Sequence, residues 1–456
     1  MHAPAPAIPV ARKAPAPSVS NAFSELGLSG DIAAVLSKQG ITEPFPIQAL
    51  TIPDALAGRD ICGKARTGSG KTLAFGLPTV ELTPRCGPRA PHAIILAPTR
   101  ELANQIATNL RPFANLRGLR VAAIFGGASM YRQTSELRSG VDILVATPGR
   151  LNDLLERGEL SVAKAGIVVV DEADQMADFG FLPQVERILD RIEGKHQTML
   201  FSATLSGDVD RLIKRYQHDP VYHEVAIDPD EEVTMQHRFI GVADAEKVQL
   251  AANLASGPGR TLLFTRTQRG ADRLARLLDR EGVAAGVLHG GVSQPRRERA
   301  LKAFSDGRSP VLVATNIAAR GIHVDNVETV VHFDLPEDAK TYLHRSGRTA
   351  RAGASGLVVT LVQDSQQQDA RVLRRDAGVR EAIVPMKPDD VRLRDLLAWE
   401  PPLEEHAPVR QPVVRFESGE RPGQSAGRGR RFNGGDRGRR WGGGNQSSPR
   451  GVGAGR

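Results

Sequence analysis

Gly166-Ile167-Val168-Val169-Val170-Asp171-Glu172-Ala173-Asp174 is a continuous apolar run that stops on three carboxylates. A run this short and this β-branched reads as a strand buried on both faces, as in parallel sheets that carry helices on either side. Its acids then stand at the carboxyl end of a strand, where open α/β sheets bind their ligands. Upstream, Ala65-Arg66-Thr67-Gly68-Ser69-Gly70-Lys71-Thr72 fits a phosphate-binding loop, with alanine where the first glycine is usual. Backbone N–H groups along Arg66, Thr67, Gly68, Ser69 and Gly70 can cradle phosphate oxygens, Lys71 can reach the terminal phosphates, and the Thr72 hydroxyl can bind Mg²⁺. Asp171 supplies the second-strand carboxylate that holds that metal, and Glu172 is the natural base for a water. The two stretches together imply hydrolysis of a nucleoside triphosphate.

At 456 residues the chain exceeds one ordinary core, and roughly two to three domains are expected. Cys62 and Cys86 lack metal-ligand spacing, which favours a reducing, cytoplasmic setting. No apolar run approaches the roughly 20 residues of a membrane helix, so no membrane partner is expected. Residues 1–20 alternate Ala and Pro and read as a disordered lead-in without the apolar segment of a signal peptide. The formal charge of +8 is concentrated at the other end: nine arginines against Asp436 give residues 421–456 a net +8 and leave the remainder near neutrality. That Gly- and Arg-rich tail, with Phe432 and Trp441, cannot bury a core and is expected to be disordered.

Ahead of the phosphate loop, Gln48 follows Pro44-Phe45-Pro46-Ile47. A glutamine amide can pair with adenine's N6 and N7 edge, which would select ATP. After the loop, strands are expected over 92–97, ending in Pro98-Thr99-Arg100; to Phe125, ending in Gly126-Gly127; over 141–146, ending in Thr147-Pro148-Gly149-Arg150; and over 197–201, ending in Ser202-Ala203-Thr204. Gly, Ser, Thr and Arg at successive strand ends suit phosphodiester contacts, although any one of them can equally be a turn or a helix cap. Near residues 216–230 the pattern loses periodicity, which marks a linker. A second βα series follows, with strand ends at Thr265, at His289-Gly290-Gly291 and at Thr315-Asn316, then His344-Arg345-Ser346-Gly347-Arg348-Thr349-Ala350-Arg351 and a last strand over 356–362. This half has no phosphate loop. Arg348 and Arg351, three apart on a helical register, would share a face and reach the γ-phosphate as arginine fingers.

In this order, the segment with Phe23 and Gln48, ARTGSGKT, PTREL, the Gly126-Gly127 pair, TPGR, DEAD at 171–174, SAT, Gln294-Pro295-Arg296-Arg297, the Thr315 segment and HRSGRTAR give a chain that resembles DEAD-box ATP-dependent RNA helicases from Phe23 to about Val362. The resemblance implies an α/β fold of two tandem RecA-like domains, each a mostly parallel sheet flanked by helices, with disordered termini. The boundaries so read are 1–20 lead-in, 21–218 first domain, 219–233 linker, 234–378 second domain, 379–420 an extension of uncertain order, and 421–456 the basic tail. It implies nucleotide contacts from Phe23, Gln48, the loop residues, Gly321 and His323; RNA contacts from Pro98, Thr99, Arg100, Gly127, Thr147, Pro148, Arg150, Thr265, Gly290 and Thr315; and coupling through Ser202, Thr204 and His344. Lys71, Asp171, Glu172, Arg348 and Arg351 would carry catalysis. Implied partners are ATP, Mg²⁺ and RNA, single-stranded or as a short duplex, within a ribosomal or messenger ribonucleoprotein, the protein acting as a monomer. The family usually has aspartate where Asn316 and His323 stand, and glycine where Ala350 stands. The aspartate matching His323 usually supports the ribose and the finger arginines, so His323 is expected to weaken ATP use or make it pH-sensitive. A non-catalytic RNA clamp and a DNA helicase are the alternatives, and intact Lys71, Asp171, Glu172, Arg348 and Arg351 favour the enzyme over the first.

Overall fold

The computed structural model describes residues 22–65, 68–205, 207–225, 235–316, 327–350 and 355–404. The lead-in, Arg66, Thr67, residues 226–233 of the expected linker, Gly321, His323, Arg351, residues 405–420 of the extension and the tail lie outside them.

The β-branched run at Ile167–Asp171 is a strand whose five residues are all buried. Side chains alternate across a strand, so Val169 enters one core while Val168 and Val170 enter another on the opposite face of the sheet. This explains why the run is apolar at every position. Around it, β1 (Ile61–Lys64), β2 (Ala93–Leu96), β3 (Val121–Ile124), β4 (Ile143–Ala146), β5 (Ile167–Asp171), β6 (Gln197–Ser202) and β7 (Val221–Glu224) form one sheet in the order β3-β4-β2-β5-β6-β1-β7. A second sheet holds β8 (Met235–Gly241), β9 (Thr261–Thr265), β10 (Gly286–Leu288), β11 (Val311–Thr315), β12 (Thr329–His332), β13 (Gly356–Val362) and β14 (Ile383–Pro385) in the order β10-β11-β9-β12-β13-β8-β14. The two orders correspond position by position. All pairings within the two sheets are parallel. The second sheet also separates two cores, with Val330 in one and Val331 in the other.

Two expected boundaries are corrected. Val221–Glu224, inside the stretch read as linker, pairs with β1 and completes the first sheet. It is an edge strand with alternating half-buried and exposed residues, so it carries no apolar run to announce it. The second lobe, expected to stop at 378, continues to at least Glu404. There β14 pairs with β8, Met386 and Leu396 are buried in the lobe's core, and the fully buried Arg374 meets Glu404 at 2.9 Å. Within the stretch read as an extension of uncertain order, Val391–Arg394 forms a single 3₁₀ turn capped by Asp390. Among the described residues no helix is long and apolar enough to cross a membrane.

Candidate functional site

The phosphate loop leaves β1 and ends at Gly70, which caps the helix Lys71–Leu82 with φ 85°. A side chain there would be strained by that φ, and its Cβ would meet the Gln48 amide nitrogen at 2.4 Å. Gln48 is buried; its Nε2 donates to the Gly70 carbonyl at 2.9 Å, and its Oε1 accepts the Phe45 N–H at 2.9 Å. The amide thus ties the Phe45–Gln48 turn to the loop with one of its two N–H donors and one of its two acceptor lone pairs, which leaves one of each for an adenine edge. Phe23, expected beside the adenine, is instead fully buried among Ile32, Leu36 and Ile47. A ring without an exposed face offers none to a base, and its work here is packing.

Across from the loop, β5 delivers its acids. Asp171 is the last strand residue, and Glu172 turns the chain through a left-handed conformation (φ 52°) into the helix Ala173–Asp178. Non-glycine residues rarely adopt that conformation, and strain of this kind clusters at functional sites. Here the turn brings the Glu172 carboxylate to the Lys71 ammonium at 3.0 Å, both side chains being almost fully buried. Lys71 also donates to the Ala65 carbonyl at 3.2 Å. Burial alone would depress the Lys71 ammonium, but Glu172, Asp171 and Asp174 together hold its pKa above the usual lysine value. Burial pushes the Asp171 carboxyl up to about 7, against the pull of Lys71. One buried ammonium therefore faces three buried acids, Asp171, Glu172 and Asp174, so acids outnumber the cation at this centre. Among the described residues no group of three or more His, Cys, Asp or Glu could enclose a metal ion. The set suits Mg²⁺, which binds through one or two carboxylates together with substrate phosphates and water.

Asp174 leads away from this centre. Its N–H donates to the Ser202 Oγ at 3.1 Å, and its Oδ2 accepts from the N–H and hydroxyl of Thr204 at 3.2 and 3.4 Å. The end of β6 is thereby fixed to the end of β5.

The other strand ends of the first lobe form one patch. The Arg100 guanidinium lies so close to Gly127 (φ 80°) that a Cβ there would stand 2.1 Å from its Nη1. Arg150, on the helix opened by Thr147 and Pro148, donates to Gln133 Oε1 at 2.6 Å and to the Ala128 carbonyl at 3.4 Å. Two arginines thus flank the Gly126–Ala128 loop. Pro98 and Thr99 are both buried, as are Thr265 and Thr315 in the second lobe, and the Thr99 hydroxyl caps the helix Arg100–Leu116 by accepting the Leu102 N–H. From that segment the arginine is the side chain available to a ligand.

In the second lobe, Thr265 and Thr315 end neighbouring strands and are paired in register, while Gly290 is exposed after β10. Arg348 does not lie on a helical face. The helix Ala339–Ser346 is closed by Gly347, and Arg348 sits beyond it, buried, with its Nε donating to the His344 carbonyl at 3.4 Å. Asn316, which stands where an acid is usual, receives the Arg345 Nε on its Oδ1, so its amide oxygen still serves as the acceptor. Ala350 has φ 56°, a left-handed position where glycine costs nothing and alanine is strained.

Three side-chain contacts join the lobes, and of the residues that make them only His344 had a role assigned from sequence. Arg297 sends Nε and Nη2 to Glu101 Oε1 at 2.7 and 2.6 Å and Nη1 to the His289 carbonyl at 3.0 Å. Lys340 pairs with Asp178, and the His344 ring stands 4.0 Å from the same carboxylate. Both Glu101 and Arg297 lie within quoted motifs; what sequence lacks is any sign that they meet.

Comparison with known proteins gives two family models: DEAD/DEAH box helicase over residues 45–212 and the helicase conserved C-terminal domain over 244–353. The chain is 38% identical over 373 residues to DEAD-box ATP-dependent RNA helicase 9 of rice, covering 79% of this chain and 59% of that one. It is 37% identical to DEAD-box ATP-dependent RNA helicase CshA of Bacillus subtilis, covering 77% and 72%. The chain spans about three fifths of the length of the rice and Arabidopsis relatives it matches. Among solved structures it superposes on Dbp5 of Saccharomyces cerevisiae bound to RNA and ADP BeF3 with a TM-score of 0.69 at 28% identity, covering 81% of this chain and 96% of that one.

Proposed function

Because this chain belongs to the DEAD/DEAH box helicase family, we propose that it is an ATP-dependent RNA helicase whose lobes hold ATP and one RNA strand together. The observation that carries the reading is the buried Lys71–Glu172 pair, joined through Asp174 to Ser202 and Thr204. ATP phosphates entering the loop offer Lys71 a new counterion. Glu172 is thereby released, and its carboxylate orients the attacking water and takes its proton. Thr72 and Asp171 would hold Mg²⁺, which when bound neutralises phosphate charge. Arg348, with Arg351, stabilises the charge that develops on the transferred phosphoryl group. The Asp174 link passes the state of that site to β6.

RNA is gripped by Arg100, Gly127, Thr147 and Arg150 of the first lobe and by Thr265, Gly290 and Thr315 of the second. Contacts of this kind hold a sugar-phosphate backbone without reading sequence, and 2′-hydroxyls distinguish RNA from DNA. Pulling one strand into this grip separates a short duplex or strips protein from it, and hydrolysis resets the clamp. The proposal extends to a monomer acting on ribosomal or messenger ribonucleoprotein in the cytoplasm, where its two free thiols, Cys62 and Cys86, stay reduced. Steady-state ATPase of the whole chain, measured with RNA, with DNA and with neither, tests the reading. Stimulation by RNA alone is expected, and equal rates in all three would overturn it.

A further inference from the structure

We propose that Tyr131 is a stacking platform for an unpaired base of the RNA strand held by the first lobe; the inference rests on the RNA-helicase reading above. Tyr131 is 80% exposed, the highest value for any large apolar or aromatic side chain among the described residues. A single exposed aromatic means little by itself; its mounting is what argues for a role. Tyr131 lies in the first turn of the helix Met130–Ser139, which starts directly after the Gly126–Ala128 loop flanked by Arg100 and Arg150. That turn cannot rotate to bury the ring. Met130 packs on the core, Gln133, Thr134 and Leu137 are buried, and Gln133 is held on both sides, donating to the Phe125 carbonyl at 3.1 Å and accepting from Arg150 at 2.6 Å. The Thr134 hydroxyl closes the turn by donating to the Tyr131 carbonyl at 3.0 Å.

The turn that carries the ring is thus anchored to the same unit as the arginines, while Arg132 beside it is exposed. A strand held by its phosphates on Arg100 and Arg150 keeps its base faces free of those two contacts, and each base has a π-face that an aromatic ring can cover. Such stacking accepts all four bases. It would therefore add affinity for a single strand without adding sequence preference, in keeping with a grip that otherwise reads backbone only.

The test is fluorescence anisotropy of the full chain with a non-hydrolysable ATP analogue, using a single-stranded RNA and a strand of the same length lacking its bases. Tyr131→Ala should weaken binding of the base-bearing RNA about fivefold or more and leave the abasic strand unaffected, and Tyr131→Phe should bind both as wild type does. Tyr131→Trp should show its added indole emission quenched by the base-bearing RNA only. An unchanged affinity in Tyr131→Ala, an equal loss on the abasic strand, or failure of Tyr131→Phe to restore binding would each refute stacking. Wild-type protein that ignores RNA altogether would instead remove the helicase reading, and this inference with it.

Discussion

Replacing Arg297 by alanine leaves the Glu101 carboxylate, 10% exposed where the lobes meet, without the guanidinium that covers it at 2.6 and 2.7 Å. Stranding one member of a buried pair typically costs about 3–5 kcal/mol. Here the stranded carboxylate regains water as soon as the lobes part. The loss is therefore capped by what the charged hydrogen bonds contribute, about 1.5–3 kcal/mol, or roughly ten- to a hundredfold in the equilibrium that joins the lobes. That equilibrium is read as RNA affinity in the presence of a non-hydrolysable ATP analogue. Arg297→Ala and Glu101→Ala should each weaken it by about tenfold or more, and the double variant should be no worse than either single one, because the contact can be lost only once. ATP binding without RNA should be unchanged. Losses that simply add, or that persist without nucleotide, would show that each residue acts alone and would refute the bridge as a lobe-joining device.

Ala350→Gly should stabilise the second lobe by roughly 0.5–1 kcal/mol, since the left-handed φ costs alanine about 1–2 kcal/mol and glycine's extra unfolded-state entropy returns only part of it; urea unfolding measures the difference. His332 is fully buried, and desolvation, with Arg345 and His237 adding to it, keeps its imidazole neutral far below the usual histidine value. The unfolded chain takes up a proton there that the folded chain does not, so stability is complete above about pH 6.5 and falls as the pH drops below it. His332→Asn should narrow the gap in urea midpoint between neutral and mildly acidic buffer. Deleting residues 421–456, which hold the whole net charge, should weaken RNA binding and flatten its salt dependence while sparing ATPase measured without RNA; an unchanged salt slope would count against tethering by the tail.

What was legible in the sequence follows from how each element earns its burial. The β5 run could be read because both faces of a central strand are covered, which forces an apolar residue at every position. The edge strands Val221–Glu224 and Ile383–Pro385 could not, because their burial is partial and their partners are remote in sequence. The Lys71–Glu172–Asp171 centre was legible because loop and strand end each have a recognisable local pattern. Glu101 and Arg297 pair across 196 residues, and a pairing set by how two lobes meet leaves no local trace. Phe23 and Arg348 show the reverse case. The motif gave their identity, while the core around Phe23 and the helix end at Gly347 decided where their side chains go. Asn316 looked like a lost acid, yet Arg345 needs only a carbonyl oxygen, which the amide retains.

In the proposed mechanism Glu172 serves as base for the attacking water rather than as a ligand for ATP or RNA. The direct test is Glu172→Gln in the whole chain, with ATP turnover and ATP-dependent RNA retention measured on the same preparation. Turnover should fall by about a hundredfold or more, the range expected when a general base is removed, while the variant keeps ATP and RNA in a long-lived complex. Retention of most of the RNA-stimulated rate by Glu172→Gln would show that Glu172 is not the base.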